Sequence, residues 1–292
     1  MIEIDLALNA LVAGLLLGGF YAAVSLGLAV AFGQLDVVNI AHPAFVILGS
    51  YIAYWLNSSF GWDPLLTGIA FTPVFFAIGM LIYRVYYESF ERKGDVALRG
   101  LAFFFGVMFI IEVLLIMAYG VDFRSVEAPY LGLNWQIGPV GIPSRMFVPF
   151  IVSLAMFGLV YLYLSRTFIG RAIRAVSQDA GALRLMGADP VRIKQLGFGL
   201  SLATTVVAGA LLIMIIPVEP SVGRLYIGQV FAIVVLAGLG SIPGTLVAAI
   251  ILGIAESFVS TFYGPSWSPA VAFSILLLAL AVRPSGLFGR TS

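Results

Sequence analysis

The sequence predicts an all-α, polytopic membrane protein that forms a single transmembrane domain over residues 1–292. Apolar residues make up 61% of the chain and charged residues only 10%. The mean hydropathy is +1.09, and apolar runs recur at close to the ~20 residues that cross a bilayer. Lipid offers the backbone no hydrogen bonds, so only helices or a closed barrel can span it, and these runs lack the alternation of barrel strands.

The apolar runs define nine predicted spans, some of them broken. They cover Leu6–Phe32, Ile40–Leu56, Leu65–Tyr83, Leu98–Tyr119, Met146–Leu164, Leu196–Ile216, Tyr226–Leu239, Thr245–Phe262 and Pro269–Val282. The N-terminus before the first span, MIEIDLALNA, is acidic where a secretory signal would be basic. We therefore expect the first span to remain in the mature protein.

Basic residues divide the connecting segments into two sets. Twelve of the fifteen Lys and Arg residues lie between the third and fourth spans or at the start of the fourth, in the segment 165–195 or in the C-terminal tail. Nine spans with the N-terminus outside and the C-terminus in the cytoplasm place all twelve on the cytoplasmic side, as the positive-inside rule expects. An eight-span alternative with Tyr226–Leu239 re-entrant would send the basic tail outside, so we prefer nine.

Two segments interrupt the helical pattern. GQLDVVNIAHP, Gly33–Pro43, places four polar side chains and a proline between apolar runs, and GLGSIPG, Gly238–Gly244, joins two short predicted spans. Broken backbone at membrane depth is tolerated where it lines a cavity, which makes Asn39 and His42 candidate substrate-pathway residues. The alternative is that both segments are ordinary cytoplasmic turns.

Two carboxylates lie inside predicted spans, Glu112 in the fourth and Glu256 in the eighth. A carboxylate at the bilayer centre costs about 3 kcal/mol, so each should face the bundle interior and have a partner. Both are candidates for the translocation path, with hydrogen-bonded helix contacts as the alternative. Gly14 and Gly18 form a G-x-x-x-G pair, which predicts close helix packing.

The sequence argues against an enzyme. It contains no G-x-x-x-x-G-K-[ST] phosphate loop, because its only lysines, Lys93 and Lys194, follow Arg92 and Ile193. Zero cysteines and the single His42 exclude thiolate and His-rich zinc sites. We therefore predict no catalytic residue, no metal and no cofactor, and the net charge of +1 gives no indication of nucleic-acid binding.

The segment Arg166–Gln195, RTFIGRAIRAVSQDAGALRLMGADPVRIKQ, holds six of the fifteen basic residues. Ser165 is a candidate cap where the fifth span ends, and Ser177 is a candidate N-cap for a short helix Gln178–Met186. Gly187 suits the position that ends this helix, and Asp189 followed by Pro190 is typical of the start of another.

The predicted short helix needs a partner, because helices under ~12 residues are marginal in water. Ala182, Leu185 and Met186 share one face at three- and four-residue spacing, which predicts a small apolar ridge for a partner groove. The alternative is a basic loop that only sets topology and contacts anionic lipid.

Three blocks of the sequence resemble the permease subunits of branched-chain amino acid ABC importers. GRAIRAVSQDAGALRLMGADPVRIKQLGF is similar to the family's cytoplasmic loop, with its G-R-A-x-R-A-x-x-x-D motif. Gly18–Tyr51 resembles its G-x-x-x-x-N-x-A-H-G block, except that Pro43 stands where Gly is usual, and Ile227–Ser257 resembles its G-G-x-G-S-x-x-G block. Length and block order match the shorter, H-type subunit.

The resemblance implies a non-catalytic subunit in the bacterial inner membrane. It would work with a second permease, two cytoplasmic ATPases that bind the ATP, and an extracytoplasmic solute-binding protein. Its loop would carry the helix that docks on an ATPase, with rigid-body rocking of the spans as the mechanism. The residues that the motif and the ridge assign to this coupling are Arg171, Arg174, Asp179, Ala182, Leu185 and Gly187.

The substrate implied by the resemblance is a branched-chain amino acid or a related small solute. Urea and aromatic acids are alternatives within the same importer class. A stand-alone secondary transporter or channel is the alternative from another class, in which Glu112 and Glu256 would relay protons.

Overall fold

A computed structural model describes residues 2–94, 97–283 and 285–289. Within these ranges the chain forms eleven α-helices and a hairpin of two antiparallel strands, β1 (Asn134–Ile137) and β2 (Val140–Pro143). The helices are α1 (Ile2–Leu35), α2 (His42–Phe60), α3 (Pro64–Ser89), α4 (Ala97–Tyr119), α5 (Ser144–Arg166), α6 (Phe168–Val176), α7 (Ala180–Leu185), α8 (Pro190–Ile215), α9 (Gly223–Ala237), α10 (Ile242–Tyr263) and α11 (Ser268–Val282).

Each of the nine predicted spans corresponds to a helix, which confirms the all-α fold class. Seven helices in the described part of the chain are long and apolar enough to cross a membrane. The other two predicted spans are α2, which has 19 residues and includes His42 and Asn57, and α9, which has 15. Only α9 is short at the GLGSIPG junction, since α10 has 22 residues, so the prediction of two short spans there was wrong.

Helices α1 and α8 form the centre of the bundle. Helix α8 packs along α1, α2 and α3, and most of its length is buried. Glycine permits this approach: a Cβ built on Gly209 would lie 2.1 Å from the Val46 carbonyl oxygen, and one built on Gly49 would lie 2.8 Å from the Val206 Cα. Van der Waals contact of this kind holds helices together where lipid removes the hydrophobic driving force between them.

The predicted G-x-x-x-G pair lies where α1 crosses α10. A Cβ on Gly14 or Gly18 would come within 2.6 Å of the Cα of Ile254 or Ile250, respectively. Gly253 of α10 approaches from the other side, and a Cβ there would lie 2.4 Å from the Gly18 nitrogen. The two backbones are therefore in direct contact.

Neighbouring spans alternate in direction between two ends of the bundle. We call the end that carries β1 and β2 the hairpin end, and the end that carries α6 and α7 the loop end. At the hairpin end, the Asn9 side chain donates to the Pro139 carbonyl (2.8 Å) and accepts from the Gly141 N–H (3.1 Å). At the loop end, Lys194 forms a 2.7 Å ion pair with Glu91. The N-terminal part of the chain thus lies at the hairpin end.

The segment between α4 and β1 is fastened to the hairpin end by side chains of α2 and of the residue that caps α3. Asn57 bonds both backbone groups of Glu127, at 3.0 and 3.2 Å. The Tyr130 hydroxyl donates to Asp63 at 2.8 Å, while Asp63 also caps α3. Burial and this hydrogen bond raise the pKa of Tyr130 above its ordinary value.

Helix α9 runs from the hairpin end to the loop end. Just before it, Val218 exchanges two backbone hydrogen bonds with Arg124 of the hairpin-end segment (2.8 and 2.9 Å). Just after it, the Gly240 carbonyl accepts from Gln34 at the end of α1. The helix itself is about 22 Å long, shorter than the ~30 Å hydrocarbon core, and a turn at 219–222 on its N-terminal side connects it to Val218 at the hairpin end. This geometry supports the nine-span arrangement over the re-entrant one.

Residues 285–289 close the loop end of α9. The Leu287 and Phe288 N–H groups donate to the carbonyls of Leu236 and Ala237, at 2.8 and 3.0 Å. Both carbonyls belong to the last turn of α9, where a helix leaves its acceptors without internal partners. The C-terminal segment therefore packs against this helix end through its backbone.

A single methyl group at the α1–α10 contact is expected to destabilise the bundle. We expect Gly253→Ala to reduce the free energy of unfolding by about 1–3 kcal/mol, because the new Cβ would meet backbone atoms of α1 that cannot yield. Thermal melting of the purified chain in mild detergent measures this. Gly106→Ala in α4 is the matched control, since nothing lies within 4 Å of its Cβ position. An equal Tm for the two variants would contradict the packing account.

Candidate functional site

The segment between α5 and α8 folds as two short helices at the loop end. The Thr167 hydroxyl starts α6 by accepting from the Gly170 N–H at 3.0 Å. The prediction that Ser165 provides this cap was wrong, because Ser165 lies inside α5 and its hydroxyl donates to the Leu162 carbonyl. Helix α6 then packs against α5 and α8 through a buried face that includes Ile173 and Val176.

Helix α7 is shorter than the predicted Gln178–Met186 and has a different N-cap. The Asp179 carboxylate accepts from the Gly181 and Ala182 N–H groups, at 2.8 and 2.9 Å. Ser177 is not the N-cap, because α6 continues to Val176 and Ser177 forms its C-terminal cap. Two N–H groups are satisfied by one carboxylate, which makes Asp179 the better cap.

The predicted end of α7 and the start of α8 are confirmed. Gly187 has φ +81°, the left-handed conformation that ends a helix and that side chains with a Cβ rarely adopt. Asp189 caps α8 by accepting from the Val191 N–H at 3.0 Å, and Pro190 occupies its first turn. The short helix is thus bounded by a carboxylate cap and a glycine turn.

The outer face of α7 carries an exposed apolar ridge formed by Ala182, Leu185 and Met186. Leu185 is 91% exposed and Met186 80% exposed, and Ala182 is also exposed. Within α7, only Leu183 is buried, and it fixes the helix against its neighbours. A short helix with one internal anchor and an uncovered apolar ridge is typical of an element that lies against another molecule.

Arg171 and Arg174 lie on α6, apart from the ridge. They face a cavity of about 700 Å³ at the loop end, which is also lined by Gln34, Gly240 and Ser241. The segment between α5 and α8 therefore carries two separate features, an apolar ridge on α7 and a basic cavity wall on α6.

The chain between α1 and α2 turns back into the bundle. Asp36 takes φ +57°, the following residues form no regular structure and end in a turn at 40–41, and α2 begins at His42, which lies beside Gly27 of α1. Gly27 is about 12 Å from the end of α1, so α2 starts well inside the bundle. The interruption predicted over Gly33–Pro43 is therefore a broken segment at depth and not a surface turn.

Asn39 and His42 are fully buried in this broken segment. The His42 Nε2 lies 2.8 Å from the Val24 carbonyl oxygen, whereas Nδ1 and both polar side-chain atoms of Asn39 have no hydrogen-bond partner among the described residues. Unpaired buried polar groups are rare in proteins and call for an explanation. Neither side chain reaches a surface of the single chain, so their place in a substrate pathway stays a prediction.

The two interrupted segments meet at the loop end. The Gln34 side chain donates to the Gly240 carbonyl at 2.6 Å. A Cβ on Gly33 would lie 2.7 Å from the Gly240 nitrogen, so the backbones touch. The pairing of these segments in sequence thus corresponds to a physical contact.

Glu112 lies inside the bundle and is paired with Arg224 at the start of α9. The guanidinium donates to both carboxylate oxygens, at 2.8 and 2.5 Å. The Glu112 side chain is 7% exposed and that of Arg224 is 49% exposed. The guanidinium carbon also lies 5.0 Å from the centre of the Phe109 ring. One half of this ion pair is therefore buried and the other is open.

Glu256 is enclosed by other helices. The Tyr21 hydroxyl of α1 donates to it at 2.5 Å, and the Gln229 amide of α9 at 3.3 Å. Only 2% of Glu256 is exposed. It links three helices, which favours the helix-contact interpretation over a place on the translocation path.

Sequence reasoning missed Arg224, which is one of the three basic residues outside the predicted cytoplasmic set of twelve. The cost of burying Glu112 predicted a partner, but the partner comes from a helix far along the chain. The one available signal was the position of Arg224 immediately before a short apolar run.

Comparisons with known proteins agree with this architecture. Residues 10–280 match the model of the family described as "Branched-chain amino acid transport system / permease component". The high-affinity branched-chain amino acid permease protein BraD of Pseudomonas aeruginosa is 33% identical, with 99% of this chain and 98% of BraD covered. LivH of Escherichia coli, named for the same transport, is 29% identical over 95% of this chain and 94% of LivH.

A solved structure shows a similar fold. The structure entitled PsaBC from Streptococcus pneumoniae in complex with Fab has a TM-score of 0.52 at 15% identity, and covers 99% of this chain and 98% of that chain. At this identity the likeness concerns the fold alone.

The asymmetry of the Glu112–Arg224 pair predicts unequal effects of removing each partner. We expect Arg224→Met to cost about 3–5 kcal/mol, because it leaves the buried carboxylate unpaired. Glu112→Gln should cost less, because the exposed guanidinium can be hydrated, and the double variant should regain most of the loss. Thermal melting in detergent measures all three.

Arg84→Gln is the control, because Arg84 pairs with Glu88 at a site where both side chains are more than half exposed. Its effect should stay below about 1 kcal/mol. Equal losses for Arg224→Met and Glu112→Gln would show that the pair is not buried on one side only.

Proposed function

The chain belongs to the family of permease components of branched-chain amino acid transport systems, and we propose that it is the membrane-spanning subunit of an ATP-driven importer. It would pair with a second permease and with two cytoplasmic ATPases. An extracytoplasmic solute-binding protein would deliver branched-chain amino acids to the pair. The observation that carries this proposal is the exposed ridge on α7, held in place by Leu183 and Gly187.

The ridge has the chemistry of a docking element. Two large apolar side chains, Leu185 and Met186, stand almost fully exposed at an end of the bundle where basic residues are concentrated. Docking of both would bury apolar area worth about 1.5–3 kcal/mol for each side chain. A groove on an ATPase subunit is the partner that an importer of this class requires.

Movement of α7 has a direct route into the bundle. The turn at Gly187 leads into α8, which begins at Pro190 and packs along α1, α2 and α3. On its other side α7 follows α6, which packs on the end of α5. Closure of the ATPases would therefore displace the spans as rigid bodies and open the pathway to alternate faces of the membrane.

This subunit has no catalytic step assigned to it and needs no cofactor of its own. ATP would be bound and hydrolysed by the partner subunits, since the chain has no phosphate loop. The loop end would face the cytoplasm of a bacterial cell and the hairpin end the outside. The concentration of basic residues in 165–195 supports this orientation in the inner membrane.

The solute pathway would pass the open side of the Glu112–Arg224 pair. A half-exposed guanidinium is costly against lipid hydrocarbon, so this surface would line the interface with the second permease. A zwitterionic amino acid matches it, because its carboxylate can pair with Arg224 while its apolar side chain contacts Phe109. Asn39 and His42 would act deeper, in the broken segment.

A proton-driven transporter is less well supported. Its relay would need Glu112 and Glu256 to exchange protons, yet Glu112 is paired with Arg224 and Glu256 is enclosed by Tyr21 and Gln229. Titration of the solute-binding protein with leucine, urea and an aromatic acid would distinguish the cargo candidates.

Polar replacement of the ridge should detach the ATPases without unfolding the chain. We expect the double variant Leu185→Ser, Met186→Ser to co-purify in mild detergent with at least tenfold less ATPase subunit than the unaltered chain does, because two apolar contacts are lost. Its Tm should match that of the unaltered chain, since both side chains are exposed. Ile137→Ser at the hairpin end, where Ile137 is 68% exposed, is the control. Full ATPase recovery with the ridge variant would rule out docking through α7.

Strain at the end of α7 should uncouple ATP hydrolysis from uptake. Gly187→Val forces a β-branched residue into φ +81°, so the docking helix can no longer end correctly. We expect solute uptake into reconstituted vesicles to fall at least tenfold. Gly61→Val is the matched control, because Gly61 ends α2 at φ +66° in open space at the hairpin end. Gly61→Val should leave uptake unchanged, and uptake and stimulated ATPase activity that both survive in Gly187→Val would contradict the proposal.

A further inference from the structure

The cavity at the loop end is built by five parts of the fold. Its walls are the end of α1 at Gln34, the α5 side chain of Tyr161, the α6 residues Arg171 and Arg174, the α9–α10 turn at Ser241, and Phe288 of the C-terminal segment. Its volume is about 700 Å³, far more than a single side chain occupies. The ridge on α7 is not part of its wall.

The cavity is basic and lacks a counter-charge. Arg171 and Arg174 lie one turn apart on α6, and neither forms an ion pair with any residue that the structure describes. None of the described residues that line the cavity is acidic. Two guanidinium groups therefore share one space with no anion supplied by the lining.

A buried donor points to the missing partner. The Nε of Arg174 is buried and has no acceptor among the described residues. Leaving such a donor unpaired is costly, and the planar fork of Arg suits a tetrahedral oxyanion that can accept from two N–H groups at once. Around it, the Ser241 hydroxyl accepts from the Gly244 N–H at 3.1 Å and still has its own proton to donate.

A smaller, mainly apolar space adjoins the cavity. A second space of about 50 Å³ shares Tyr161 and Arg174 with the first and is lined further by Leu164 and Ile242. It lies between α5 and α10, which touch over only a short stretch. Tyr161 is 42% exposed on the outer side of α5. The basic cavity suits the anionic headgroup of a phospholipid, and the adjoining apolar space between α5 and α10 suits the apolar atoms next to that headgroup.

We propose that this cavity binds a phosphoryl anion through Arg171 and Arg174. The phosphodiester of an anionic phospholipid and free inorganic phosphate present the same chemistry to the two guanidinium groups. The adjoining apolar space distinguishes them, because only the phospholipid has apolar atoms to place there. The bound anion would join α6 to the α9–α10 turn and so stiffen the segment that carries α7. This site does not depend on the assignment of the transported solute.

The test uses the purified full chain in neutral detergent. Phosphatidylglycerol, phosphatidylcholine and inorganic phosphate are titrated in separate arms, with thermal melting and native mass spectrometry of retained lipid as readouts. We expect phosphatidylglycerol to raise Tm and to be retained, and phosphatidylcholine to have no comparable effect. In Arg174→Gln the lipid concentration at half-effect should rise roughly tenfold.

Two further variants keep the result interpretable. Arg192→Gln removes the same charge at the loop end but outside the cavity, and it should bind as the unaltered chain does. Arg174→Lys keeps the positive charge but lacks the planar guanidinium, and it replaces Arg174→Gln in the test if that variant does not fold. Its affinity for phosphatidylglycerol should also be lower than that of the unaltered chain. Stabilisation by inorganic phosphate alone, lost in Arg174→Gln, would support the site in its free-anion form. The proposal is overturned if neither anion shifts the unaltered chain, or if Arg192→Gln weakens binding as much as Arg174→Gln.

Discussion

The close contact of helix backbones around α8 is the constraint on which the rest of the structure depends. Gly49 and Gly209 let α2 and α8 approach until main-chain atoms touch, and Gly14, Gly18 and Gly253 do the same for α1 and α10. Backbones in contact cannot slide past one another without clashes, so α1, α2, α8 and α10 behave as one body. The α1–α2 break that carries Asn39 is built into this body, whereas α4, α5 and α11 lie at its edge with most of their surface uncovered.

Local chemistry explains what could be predicted from the sequence. The nine helices follow from apolar runs, and Gly187, Asp189 and Pro190 have turn and cap roles that depend on their immediate neighbours. Ser177 and Asp179 are both good caps two positions apart, and the choice between them depends on how far α6 extends, which packing on α5 and α8 decides. The cavity at the loop end was not predictable, because its walls come from five parts of the chain, between Gly33 and Phe288.

The two intramembrane carboxylates show how far the free-energy cost of burying a charge can be used to predict structure from sequence. Glu112 and Glu256 have the same chemistry and similar predicted depth, and both needed partners. The structure gives Glu256 the neutral donors Tyr21 and Gln229 inside the bundle, and gives Glu112 the half-exposed cation Arg224. Only the second arrangement leaves a charge available to another molecule, and the neighbours that decide this lie on other helices.

The backbone bonds between residues 285–289 and the end of α9 have a consequence for how the protein is made. Spans enter the membrane in order as the ribosome extends the chain, so α9 is inserted before α10, α11 and the segment that follows them exist. Until Leu287 and Phe288 are synthesised, the Leu236 and Ala237 carbonyls lack these donors, and the helix is short for a bilayer. The final packing of α9 is therefore a late event in biogenesis. In an insertion intermediate halted after α10, the last turn of α9 lacks its hydrogen bonds to the C-terminal segment.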